Sequence, residues 1–95
     1  MKYTIYQLQR ENDLTFMNFE YAQKHGGVKF EAYETVYTGQ ITGNDPNEIL
    51  EKLYVMFNLH HPEDYTGRSL SVSDLVALED TGTYFCDSIG WKQIN

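Results

Sequence analysis

Apolar and polar positions alternate from Lys2 to Leu8, with Tyr3 and Ile5 on one side and Thr4, Tyr6 and Leu8 on the other. That period of two predicts a strand covered on both faces. Gln9 to Asp13 is a polar connection. Phe16 and Phe19 anchor a short helix capped by Asn18 and running to about Lys24, where Gly26-Gly27 ends it. Ala32 to Thr38, rich in Tyr and β-branched residues, predicts a second strand, and Gly39 to Asn44 a turn. The strongest helix signal follows. Asp45 caps it, Pro46 takes the first position, and Glu48 completes a capping box. Ile49, Leu53 and Phe57 recur every four residues, with Leu50 and Tyr54 widening the stripe. Glu48 and Lys52 have the spacing of an ion pair. This helix is expected over Pro46–Asn58, with its stripe in the core. His61-Pro62 closes it, because the residue before proline resists helical geometry. A polar loop, Glu63 to Ser73, feeds a hairpin of Ser73–Leu78 and Thr83–Asp87 about a turn at Thr81-Gly82. Trp91–Ile94 is a short last strand. The pattern predicts an α+β fold: an antiparallel sheet of four to five strands with one main amphipathic helix and a short second helix.

With 95 residues there is room for one domain and one modest core. Apolar residues at 41% argue for a packed chain, not a disordered one. The eight tyrosines fit half-buried strand positions, and their large contact area with a polar tip also suits protein interfaces.

Charge changes the picture more. Seven Lys and Arg stand against fourteen Asp and Glu, a net charge of −7. The cations are scattered singly, so no basic patch forms. Direct nucleic-acid binding is not expected, and neither is attachment to an anionic membrane. The acidity favours a basic partner, such as a protein with a basic surface, beside the plainer reading that it keeps a small protein in solution.

Candidate chemistry is sparse. Cys86 is the single cysteine, so it forms no internal disulfide, which fits a reducing compartment. Between Phe85 and Asp87 it reads as a small buried hydrophobe. His60 and His61 are adjacent and His25 is remote, with no metal-ligand spacing. Ser69, Ser71, Ser73, His61 and Asp74 contain the residue types of a nucleophilic triad but no nucleophile elbow. Ser and Asp ahead of a strand more simply bond the backbone of a tight turn. The expectation is a protein that is not an enzyme and needs no cofactor or metal. Arg10 and Glu11 interrupt the N-terminal region before an apolar leader core forms, and the longest apolar runs are too short to span a bilayer. A cytoplasmic location is expected.

One long pattern carries a resemblance. His61-Pro62, Asp64, Tyr65, Gly67, Ser69-Leu-Ser-Val-Ser-Asp74, Asp87-Ser88 and Gly90-Trp91 resemble the YodL-like domain, found in conjugative and other mobile elements of Firmicutes. Upstream, Tyr3, Ile5-Tyr6-Gln7-Leu8, Phe16-Met17, Tyr33-Glu34, Val36-Tyr37-Thr38-Gly39 and Phe57-Asn58 fit the same pattern, so it covers nearly the whole chain. Ile89 and Trp91 stand where Phe-like residues are expected, and the chain reads as a free-standing unit, whereas relatives often sit inside larger proteins. The resemblance implies a protein-binding role in a mobile element of a Gram-positive bacterium. Some small acidic proteins of such elements that resemble this one act as anti-CRISPR proteins against type II systems, and their target, the RNA-guided nuclease, has basic channels for guide RNA and target DNA. That is one implied partner. The other is a component of conjugative transfer, for which the chain would be an accessory domain that inhibits nothing. The residues expected to face the partner are Glu48 and Glu51 on the helix, Glu63, Asp64, Tyr65 and Arg68 in the loop, and Glu79 and Asp80 at the hairpin tip.

Overall fold

Alternation from Lys2 to Leu8 makes strand β1 (Lys2–Leu8), and its side chains are used on both sides. Tyr3, Ile5 and Gln7 are buried on one face and Leu8 on the other. In the computed structural model, which describes residues 1–95, β1 lies second in a five-stranded sheet. It pairs antiparallel with β2 (Tyr33–Gln40) and β3 (Leu75–Leu78). Strands β4 (Gly82–Cys86) and β5 (Trp91–Gln93) continue the sheet, again antiparallel, in the order β2-β1-β3-β4-β5. With two α-helices added, this is the α+β fold the pattern predicted.

Helix α2 (Pro46–Leu59) forms where the capping residues place it. Asp45 Oδ1 accepts the Asn47 N–H at 3.1 Å, and Pro46 occupies the first turn, where no donor is needed. The His60 N–H closes the far end on the Met56 carbonyl. Ile49, Leu50, Leu53 and Phe57 are buried and join Tyr3, Ile5, Val76, Leu78 and Tyr84 in one core. Each such side chain contributes about 1.5–3 kcal/mol on full burial. The predicted Glu48–Lys52 pair does not form. Lys52 Nζ reaches back to the Thr42 carbonyl at 2.9 Å and ties down the loop before the helix.

Four aromatic rings thicken this core. Phe57 meets Tyr65 edge-on with centroids 4.8 Å apart, and Tyr37 meets both, at 5.5 Å from Phe57 and 5.7 Å from Tyr65. Tyr3 adds an edge contact to Phe57 at 6.1 Å. The four make an edge-to-face cluster, the arrangement favoured by the ring quadrupoles.

The other face is covered more thinly. Helix α1 (Phe19–Lys24) is capped by Asn18, whose Oδ1 accepts the Tyr21 N–H at 2.8 Å. It turns off at Gly26 and Gly27, both at positive φ, where the Gly27 N–H bonds the Ala22 carbonyl. Phe19 lies edge-on to Phe85 at 5.3 Å, and Ala22 is buried. A single 3-10 turn, Phe30–Ala32, which the pattern did not announce, leads into β2.

Several boundaries moved. Gly39, read as turn, lies inside β2 opposite Tyr3. A Cβ there would stand 2.6 Å from Tyr3 Oη and 2.8 Å from its Cζ, so the glycine makes room for a ring. β3 begins two residues inside its predicted start, because Ser73 has φ +86° and cannot extend the strand, and ends at Leu78 as predicted. β4 is displaced by one residue toward the N-terminus at both ends, Gly82–Cys86 for Thr83–Asp87. β5 stops at Gln93.

Candidate functional site

The loop Arg68–Asp74 is organised from within by the Asp74 carboxylate. Asp74 has no solvent exposure. Its Oδ2 accepts the Ser71 N–H at 2.8 Å and Gln7 Nε2–H at 3.0 Å, and Arg68 Nη2 stands 3.4 Å from Oδ1. Burial raises its pKa to about 7, against the lowering effect of those three donors. The Arg68 guanidinium also lies 5.1 Å from the centre of the Phe16 ring. Ser73 is equally committed. Its Oγ accepts the Phe16 N–H at 3.0 Å, and its carbonyl accepts Tyr33 Oη–H at 2.6 Å. The Ser73 N–H bonds the Cys86 carbonyl, and the Cys86 N–H bonds the Asp74 carbonyl, both at 2.9 Å. Ser71, whose Oγ–H donates to the Ser69 carbonyl at 3.0 Å, Ser73 and Asp74 therefore hold backbone, as their place before a strand suggested. Cys86 is buried, and burial pushes its thiol up to about 12, the opposite of an activated nucleophile.

The expected partner-facing residues divide. Glu48, Glu51, Glu63, Asp64, Glu79 and Asp80 are all exposed. Three of them also bond the surface beneath. Glu51 Oε2 accepts Trp91 Nε1–H at 3.1 Å, Asp64 Oδ1 accepts Tyr37 Oη–H at 2.9 Å, and Glu79 Oε1 accepts the Lys2 N–H at 3.3 Å. Asp64 raises the pKa of Tyr37, chiefly by accepting that hydrogen bond. Tyr65 is not a surface residue: it is 5% exposed, its ring is in the aromatic cluster, and its hydroxyl donates to the Arg68 carbonyl. Arg68 is turned inward to Asp74 and Phe16, with only 16% of its side chain exposed. Both lie in a polar loop that reads as solvated, and both are drawn in by partners distant in sequence.

Of the fourteen Asp and Glu, Asp74 alone is buried and Asp87 half-buried. The chain forms two ion pairs, Lys24–Glu20 and Arg68–Asp74. The six exposed candidate acids thus meet no cation of their own chain. They are spread over α2, the loop that follows it, and the β3–β4 turn.

Two concave features escaped the sequence. One, of about 660 Å³, lies beside α1 between the Glu11–Leu14 loop and Gly27–Lys29, floored by Leu8, Tyr33 and Phe85. The other, of about 230 Å³, lies where α2, the Val72 segment and the Asp87–Trp91 turn meet. Nothing in local periodicity marks either, since each joins segments far apart in sequence.

The fold, with its Asp74-centred loop and acid-bearing surface, defines a small α+β domain with a polar hub. The chain matches the YodL-like domain over residues 2–95 and belongs to that family. It is similar to a protein of Bacillus subtilis (strain 168) called Uncharacterized protein YodL, at 28% identity over 69 residues. That alignment covers 66% of this chain and 66% of the Bacillus protein, so the chain spans less than two thirds of its relative's length. No solved structure matches the chain.

Proposed function

We propose that this domain acts by binding a protein with a basic surface, without catalysis, and that the partner is the RNA-guided nuclease of a type II CRISPR system. The observation that carries the reading is the set of six exposed acids, Glu48, Glu51, Glu63, Asp64, Glu79 and Asp80, none paired with a cation of the chain. Unpaired carboxylates on a protein of charge −7 repel nucleic acid and attract Lys- and Arg-lined channels. The channels of such a nuclease are lined for guide RNA and target DNA. The step from a basic partner to this nuclease rests on the resemblance to small acidic proteins of mobile elements. On this reading the domain is an anti-CRISPR inhibitor that competes with guide RNA in the host cytoplasm.

The experiment is a binding measurement on guide-free and guide-loaded nuclease over a salt series. Preferential, salt-sensitive binding to the guide-free form supports inhibition by occupation of the guide channel. Binding to a conjugation protein, with none to the nuclease, assigns the domain to the accessory role instead.

A further inference from the structure

Val72, from the Ser69–Asp74 segment, and the Asp87–Trp91 turn meet α2 at one cleft. The Asp87–Trp91 turn is built tightly. The Asp87 N–H bonds the Gly90 carbonyl at 3.0 Å, Asp87 Oδ1 accepts the Ser88 N–H at 2.8 Å and the Phe19 N–H at 3.1 Å, and Gly90 takes φ +71°, where a side chain is strained. This turn sets Trp91 into β5 and holds Ile89 out at 90% exposure. The indole is fixed from the helix side by the bond from Nε1–H to Glu51 Oε2. Tyr54, one turn along α2 and 40% exposed, and Val72 complete the walls. The cleft therefore holds two aromatic side chains, two carboxylates (Glu51 and Asp87) and no cation.

That composition has a chemical preference. A flat cation gains from aromatic faces and from carboxylates together, and a guanidinium, planar and weakly hydrated, suits both better than an ammonium. We infer that this cleft receives an arginine side chain of the protein partner, with its guanidinium against Trp91 and Tyr54 and its charge on Glu51 and Asp87. The inference deepens the proposed binding of a basic surface and rests on it.

Trp91 is the single tryptophan, so its fluorescence reports the cleft directly. The full domain is titrated with a short capped peptide containing one arginine, with the same peptide carrying citrulline, and with a lysine version. The arginine peptide is expected to change Trp91 emission saturably, with the neutral citrulline peptide at least about fivefold weaker. Glu51→Gln keeps an acceptor for the indole but removes the charge, and Tyr54→Ala removes a wall; each should weaken arginine binding severalfold. Glu31→Gln, an exposed acid outside the cleft, controls for net charge and should bind as the parent does. Circular dichroism on each variant reports folding. Equal response to arginine and citrulline, stronger binding of lysine than arginine, or equal effects of Glu51→Gln and Glu31→Gln would each overturn the inference. The titration needs no nuclease. If the peptide test fails while the nuclease binds, only the cleft assignment falls. If the peptide binds and the nuclease does not, only the choice of nuclease falls.

Discussion

Gln7 and Asp74 are joined side chain to side chain, Nε2–H to Oδ2 at 3.0 Å, across 67 positions of sequence. The bond ties the C-terminal end of β1 to the loop that precedes β3. Gln7 Nε2 also reaches the Arg68 carbonyl at 3.1 Å. One buried amide thus fixes both ends of the Arg68–Asp74 segment against the sheet. Every buried side-chain polar atom of this network is satisfied except Arg68 Nε, which has no partner.

Asp74 is expected to make the domain's stability fall as pH rises, because burial raises its pKa. Its folded pKa of about 7 lies above its ordinary value of 3.8, so between roughly pH 4 and pH 7 the folded chain holds a proton that the unfolded chain has lost. Stability from this group is fully present below pH 4 and lost as pH passes through 7, by on the order of a few kcal/mol. Urea denaturation at pH 5 and pH 8 should show that fall in the parent and much less of it in Asp74→Asn. The same fall in both proteins would place its origin elsewhere, in general surface repulsion.

Leu53 is fully buried at the centre of the α2 stripe. Leu53→Ala should cost about 2–5 kcal/mol by lost transfer energy and an unfilled cavity. A shift under about 1 kcal/mol in denaturant titration would mean that the stripe is not the core contact described above.

Cys86 should be inert in the folded protein. It is 3% exposed and its thiol is pushed up to about 12, leaving a thiolate fraction on the order of 10⁻⁴ at pH 8. A thiol-reactive dye should label it only after denaturant is added. Rapid stoichiometric labelling of native protein would show that β4 opens readily.

The sequence spoke most clearly where the determinants are local. Asp45-Pro46 and the four-residue spacing of Ile49, Leu53 and Phe57 lie within one helix, and its limits were read to within a residue. Strand β1 was read at its true ends for the same reason. The misreadings share a cause in partners distant along the chain. Gly39 looks like a turn unless the Tyr3 ring opposite it is known. Tyr65 and Arg68 look solvated until Phe57 and Asp74 draw them in. Of the candidate surface, the six acids were legible because charge in turns and on the polar side of a helix stays in water. The cleft was not, because the Glu51–Trp91 bond crosses forty positions.

The central claim is that exposed, unpaired acids carry binding to a basic groove. It is tested most directly by the association rate of the domain with guide-free type II nuclease, measured from 0.1 M to 1 M salt with the parent and with charge reversals. Screening shortens from ~10 Å to ~3 Å over that range, so association should slow steeply with salt. Glu63→Lys with Asp64→Lys, or Glu79→Lys with Asp80→Lys, should slow it at low salt, and nuclease loaded with guide RNA beforehand should be protected. A rate indifferent to salt, to both reversals and to guide loading would contradict the account.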